Sequence, residues 1–297
     1  MFASVLISTY NWKEALALCV RSVFQQTVQP AEIVIADDGS RDDTREMIEQ
    51  LRKETTIPII HVWHEDKGFR KTKILNDAIR MVSQPYIIQI DGDVVLEKHF
   101  IADHLELAER GYFVCGSRVG VNPEQTKRFF ESGGKYRPWF FNLSFMYMLN
   151  SFRFKPVRDY LEKRYFPKNI KRLRGCNMAF WKDDLLRVNG YNEALTMWGQ
   201  EDTEIAYRLI FSGVKKKFLK AGGVEYHLYH KPASRANLAF HNQVLEDVIA
   251  NRRSWCENGI LKDKPCPEII PLTEAEPLYD IRKKGFRTPK YGRVAVF

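Results

Sequence analysis

The sequence has few cysteines, and none stands in a pattern that carries chemistry. Five of them (Cys19, Cys115, Cys176, Cys256, Cys266) are scattered over 297 residues. No C-x-x-C spacing occurs, which argues against a zinc site and leaves no disulfide framework. Thiols used in this way fit a reducing cytosol. No run approaches the roughly 18 apolar residues that a membrane-crossing helix requires. The opening "MFASVLISTYN" has neither a basic segment nor a cleavage site, and reads as a strand rather than a secretion signal. Internal repeats and low-complexity tracts are also missing. The expectation is a cytoplasmic protein, attached at most to the surface of a membrane.

What is present is a globular composition, 44% hydrophobic and 28% charged, enough for a sizeable core. The net charge of +9 is concentrated in one place. Between Lys135 and Arg174 stand eleven Lys or Arg against two acids, so the rest of the chain is close to neutral. The same forty residues hold eleven aromatics, among them Trp139, Phe140, Phe141, Phe145 and Tyr147.

The first third alternates short apolar runs with amphipathic stretches. Strands are predicted at 4–9, 32–37, 57–63 and 85–91, with helices at 13–26, 41–54 and 71–82 between them. This rhythm implies an α/β fold with a mostly parallel, doubly wound sheet and helices on both faces. Residues 123–174 interrupt the pattern with helices and loops. A strand at 175–181, helices at 182–190 and 201–212, a strand at 224–230 and a helix at 235–253 follow. The expected organisation is one domain in two halves, 1–122 and 123–256, with an insertion at 135–174 and a core-poor tail at 257–297.

Ligands of such sheets bind beyond the carboxyl ends of the strands. That rule makes neighbours of "STYN" (8–11), "DDGS" (37–40) and "DGD" (91–93). A "DG" after a strand is also a hairpin signal, but the "VVLEKHF" that follows does not alternate as a returning strand should. Two carboxylates in one small site each raise the cost of ionising the other. A divalent cation removes that cost, and Mg²⁺ or Mn²⁺ suits hard oxygen ligands beside a phosphate. For Asp37 and Asp38 the plain alternative is helix N-capping. For Glu201 and Asp202 it is the preference for acids in a helix's first turn.

Strand–"TYN"–helix–strand–"DDGS"–helix–strand–helix–strand–"DGD" resembles the nucleotide-sugar half of family 2 glycosyltransferases of the GT-A fold. "EDKGFRKTKILNDAI" (65–79) is similar to that family's link into the D-x-D strand. "RGCNMAFWKDDLLRVNGYNEALTMWGQEDTEIAYRLIFSG" (174–213) is similar to the C-terminal half of β-1,4-galactosyltransferases and bacterial chondroitin polymerases. The resemblance covers roughly residues 3 to 240.

It implies roles residue by residue. Thr9 and Tyr10 would flank a uracil, Asp38 would hydrogen-bond it, and Arg70 or Lys73 would reach the diphosphate. Asp93 would bind Mn²⁺ or Mg²⁺ most directly, with Asp91 nearer the ribose or a metal-bound water. One histidine would complete the metal shell, His227 or alternatively His230. Asp202 would be the general base and Glu201 a hydrogen-bonding partner of the sugars. Trp198, Gly199 and Asn177 would face the acceptor. The implied reaction is an inverting transfer from a UDP-sugar to a hydroxyl of a surface glycan such as a lipopolysaccharide, a capsule or a related lipid-linked acceptor.

The basic-aromatic segment would suit a membrane-borne or acidic acceptor, or else an ordinary helical insertion. It does not suit nucleic acid, since no binding module surrounds it. Two competitors are weaker. A nucleotidyltransferase using the same aspartates needs a glycine-rich phosphate loop, and "ISTYNWKE" is not one. A non-catalytic glycan- or membrane-binding protein on a transferase fold has no need of acids at 91, 93, 201 and 202.

Overall fold

The buried run Ala3–Thr9 (β1) lies in the interior of the main sheet. Its neighbours are Glu32–Asp37 (β2) on one side and Tyr86–Asp91 (β4) on the other, both parallel to it. Apolar side chains on both faces suit a strand covered by helices on each side. The computed structural model describes residues 2–164, 173–231 and 236–262, which belong to one compact unit spanning Met1–Pro267.

In chain order the elements continue as Lys13–Phe24 (α1), Asp42–Lys53 (α2), Ile59–Trp63 (β3) and Lys71–Met81 (α3), all before β4. Then come Val94–Leu96 (β5), Phe100–Leu107 (α4), Tyr112–Cys115 (β6), Val119–Gly120 (β7) and Pro123–Glu131 (α5). Phe145–Met148 (α6), Lys155–Arg164 (α7), Asn177–Trp181 (β8), Lys182–Arg187 (α8) and Glu201–Phe211 (α9) follow. Lys215–Phe218 (β9), Glu225–His227 (β10) and Leu238–Ala250 (α10) complete the described elements.

The main sheet runs β3-β2-β1-β4-β8-β6-β9, with β8 antiparallel to both of its neighbours. One face packs Leu16, Val20 and Phe100 over β1 and β4. The other packs Ile74, Leu75 and Ile205 against Leu6 and Ile87. A second sheet, β5-β10-β7, packs Val95, Val119 and Tyr226 against Phe129 and Leu143. α5 starts where the sequence dictates: Asn122 and Gln125 form a capping box and Pro123 takes the first helical position.

β5 pairs antiparallel with β10, not with β4, so "DGD" is a strand-to-strand link between two sheets and not a hairpin. α2 is capped by Arg41 without a side-chain bond, so neither Asp37 nor Asp38 serves as its N-cap. Part of the expected tail is packed instead. Ile260 is buried, and its N–H and that of Leu261 both donate to Asn189. The remainder of that tail, 263–297, lies outside the described residues, as do 165–172 of the insertion and 232–235. Among the described residues no helix is long and apolar enough to cross a membrane.

Candidate active site

The sheet order reverses about β1, whose neighbours lie on opposite sides, and this opens a crevice at the carboxyl ends of β1, β2 and β4. The loop after β2 is held by its own acids. Asp37 accepts from the Ser40 N–H at 2.8 Å and pairs with His61 Nε2 at 2.9 Å. Gly39 has φ +91°, and a Cβ there would fall 2.6 Å from the Asp66 backbone. Only glycine fits that turn.

Asp38 is buried, with His64 Nε2 at 2.7 Å and the Arg70 N–H at 2.8 Å. Burial pushes its carboxyl up, and these two donors pull it back only in part. Tyr10 is exposed above the crevice and donates its hydroxyl to Asp66 at 3.0 Å, while Thr9 is buried beneath it. An exposed ring beside a buried hydrogen-bonding carboxyl is a fitting floor for a flat heterocycle.

The two acids of "DGD" part company. Asp91 Oδ1 accepts from Lys71 Nζ at 2.6 Å and from Ser8 Oγ at 2.8 Å. Burial alone would raise its carboxyl, but Lys71 and Ser8 outweigh that and hold it at about 2. Asp93 faces the other way, with His230 Nε2 3.2 Å from Oδ2 and His227 Nε2 3.6 Å from Oδ1. One ligand atom from each of Asp93, His227 and His230 lies within 4.8 Å of the others.

Asp93 Oδ1 is buried without a hydrogen bond, an orphaned ligand oxygen of the kind a cation would satisfy. The donor set therefore fits a divalent metal. Burial lowers His227, so its imidazole stands ready as a neutral ligand. His230 is raised instead, by its hydrogen bond to Asp93. The backbone builds this corner: the Leu228 N–H donates to the Asp93 carbonyl at 2.9 Å, and Trp12 meets the His230 ring edge-on.

Across Lys71 lie the first residues of α9. Burial and the neighbouring Glu201 charge push the Asp202 carboxyl up to about 7, against the lowering pull of Lys71. Asp202 Oδ1 is buried and has no hydrogen-bond partner. Gly175 makes room for it, since a Cβ at that position would stand 2.3 Å from both carboxylate oxygens. Glu201 is buried and its Oε2 accepts from the Gly199 N–H at 3.1 Å, which fixes the turn carrying the half-exposed Trp198.

Most of the expected residues thus meet at this crevice. Both histidines reach Asp93, where one was expected, while Asp91 stands outside that cluster. Asn177 is a correction. It is fully buried, with Oδ1 facing His104 Nε2 and Nδ2 donating to the Ser117 and Gly223 carbonyls. Its amide ties β8 to α4 and to the loops at Ser117 and Gly223, and is not free for an acceptor.

The basic side chains also fall differently. Lys73 pairs with Asp77 one turn along its own helix, and the Arg70 guanidinium turns back to the Glu65 carbonyl. Lys71, which no motif singles out, is the cation that meets Asp91; Ser8 stood within "STYN" without a role of its own, and no motif pointed to His64. The i,i+4 spacing of Lys73 and Asp77 was the available signal, since it occupies Lys73 and leaves Lys71 free to point elsewhere.

The profile described as "Glycosyl transferase family 2" matches residues 4–185. The chain belongs to glycosyl transferase family 2. A second profile, "N-terminal domain of galactosyltransferase", matches residues 156–231. Validoxylamine A glucosyltransferase of Streptomyces hygroscopicus subsp. limoneus is 28% identical over 229 residues, 71% of this chain and 48% of that protein. Chondroitin synthase of Escherichia coli is 24% identical over 251 residues, 79% of this chain and 35% of that protein. The family 2 chain therefore spans about half, or less, of these curated relatives.

Among solved structures, residues 1–349 of S. aureus TarS superpose with a TM-score of 0.58 at 17% identity, covering 84% of this chain and 66% of that one. The Pyrobaculum calidifontis mannosyltransferase PcManGT, in complex with GDP-Man and Mn²⁺, gives 0.58 at 18% identity, covering 84% and 64%. GalNAc-T7 with UDP, GalNAc and Mn²⁺ gives 0.59 at 18% identity, covering 83% and 48%. The fold of this family 2 member is GT-A, with the mixed sheet described above.

Proposed function

We propose that this protein is a metal-dependent, inverting glycosyltransferase that moves a sugar from a UDP-sugar to a hydroxyl of a glycan acceptor. The observation that carries this reading is the separation of acids about Lys71. Asp91 is held ionised by Lys71 and Ser8, while Asp202, across from it, has a carboxyl raised to about 7 and a buried oxygen with no partner. An acid tuned close to neutrality suits proton abstraction.

Tyr10 and Asp38 take the base of the nucleotide, and Asp91 lies toward its ribose. Asp93, His227 and His230 would hold the cation. A carboxylate with two imidazoles favours Mn²⁺ over Mg²⁺, which prefers oxygen alone. When bound, that ion would offset the negative charge gathering on the departing diphosphate. Asp202 takes the proton from the acceptor hydroxyl as its oxygen attacks the anomeric carbon from the face opposite the diphosphate. One displacement of this kind inverts the configuration and needs no covalent intermediate, unlike a retaining hydrolase. Glu201 holds a sugar hydroxyl, and Trp198 gives a flat face for a pyranose.

The acceptor class we favour is a cell-surface polysaccharide or glycolipid such as a lipopolysaccharide or capsule, made at the cytoplasmic face of a membrane. Trp139, Phe141 and Phe145 support it, being 68%, 73% and 75% exposed on the insertion.

The reading is tested by incubating the protein with Mn²⁺ and a panel of UDP-sugars, with GDP-mannose as a further arm. UDP release is expected for at least one UDP-sugar, and Asp93→Ala is expected to abolish it. If no nucleotide sugar alters either nucleotide release or thermal stability, the donor assignment is wrong.

A further inference from the structure

Behind the turn that carries Trp198 sits a histidine that the proposed reaction does not use. His241 lies in the first turn of α10 and is fully buried. Its Nδ1 is 2.5 Å from the Gly199 carbonyl oxygen, and its Nε2 is 2.8 Å from the Thr196 carbonyl oxygen. A carbonyl oxygen can only accept. A neutral imidazole has one donor and one acceptor nitrogen, and would set a lone pair against one of these two oxygens. The imidazolium alone satisfies both.

Among the described residues no carboxylate pairs with the ring, whose polar partners are the two carbonyl oxygens. The first turn of α9, the helix packed against α10, carries Glu201, Asp202 and Glu204. Glu201 binds the other side of the same turn through the Gly199 N–H, and Glu204 is occupied by Arg208. On α10 itself, Glu246 and Asp247 are exposed.

The turn needs such a hold. Met197 and Gln200 have φ of 70° and 65°, left-handed values that side chains other than glycine seldom adopt. Several of its other ties are long, with Met197 N–H to the Phe69 carbonyl, Thr72 Oγ1 to the Leu195 carbonyl and Asn237 Nδ2 to the Thr196 carbonyl each 3.3 Å, while the Gly199 N–H meets Glu201 at 3.1 Å and Gln200 Nε2 meets Asn242 Oδ1 at 2.9 Å. The contacts of His241, at 2.5 and 2.8 Å, join both ends of the turn through one ring.

We propose that His241 is a positioning residue, held as an imidazolium, that clamps the turn from Thr196 to Gly199 and thereby sets Trp198 and Glu201 for the acceptor. The protonation stands on the geometry alone, while its consequence for the acceptor rests on the transferase reading above.

Long-range ¹H–¹⁵N correlation spectra of the full chain with ¹⁵N-labelled histidine, recorded at pH 7.5, read the ring directly. The His241 signals are identified by their loss in His241→Gln. Both ring nitrogens are expected at the shifts of protonated nitrogen, with or without donor. One protonated and one lone-pair nitrogen would overturn the clamp.

In kinetics, His241→Phe is expected to raise the acceptor KM at least about tenfold, as loss of a charged hydrogen bond implies, with UDP-sugar affinity unchanged. His241→Gln, which keeps amide donors, is expected to recover part of that loss, and carries the comparison if the Phe variant does not fold. An unchanged acceptor KM, or an equal loss in donor affinity, would overturn the positioning role. A chain without transferase activity would still report the clamp through its spectrum.

Discussion

Lys71 decides how the acids of this crevice coexist. Burial disfavours its ammonium, but Asp91, Glu201 and Asp202 outweigh that and keep it firmly charged. The same charge lowers Asp91 and restrains Asp202. Replacing it by Met removes the restraint, so the Asp202 carboxyl should rise above about 7. If Asp202 is the base proposed above, the rate of transfer grows as it ionises, so the acidic limb should move to higher pH in Lys71→Met and largely return in Lys71→Arg. A pH–rate profile checks this, and an unmoved limb would detach Asp202 from the rate.

The crowding of Asp91 and Asp93 was legible in "DGD", and the expected remedy was a cation shared between them. The chain relieves much of it by itself, giving Lys71 and Ser8 to one acid and two histidines to the other. Which of three neighbouring basic residues turned inward depended on helix phase and on the Lys73–Asp77 pair, and motif matching does not see either.

At the scale of elements, the insertion has two faces. Tyr136, Tyr147 and Met148 pack against the small sheet, while Trp139, Phe141 and Phe145 stand out into solvent. Part of its positive charge is internal. Arg153 and Arg158 are both held by the buried Asp103, and Lys155 and Arg158 both pair with Glu106. The count of eleven basic residues could not foresee those partners, because they come from α4, about fifty positions earlier.

Membrane attachment would then lean more on the aromatics than on charge. Replacing Trp139, Phe141 and Phe145 together by serine should sharply reduce co-sedimentation with vesicles containing anionic lipid, while UDP binding stays unchanged. Equal sedimentation of wild type and variant would remove the segment as a membrane anchor. The pairing of β10 with β5 was equally out of reach from periodicity, yet it brings His227 opposite Val94, next to Asp93.

For the whole molecule, the alternation of strands and helices through residue 91 was enough to predict a parallel sheet and the crevice above its reversal, because both follow from local pattern and handedness. The antiparallel β8 lay outside that logic, since it enters between β4 and β6 after a long excursion. The entry of β8 there brings Gly175 and the start of α9 to the crevice, where Asp202 stands with one oxygen unpartnered.

The account stands or falls on that carboxyl acting as the base. Its most direct test is the single-turnover transfer rate of Asp202→Asn, measured beside the affinity for UDP with Mn²⁺. The predicted result is unchanged nucleotide affinity with transfer slowed by about 10²- to 10⁴-fold, the range expected for loss of a general base. Transfer at the wild-type rate would contradict it.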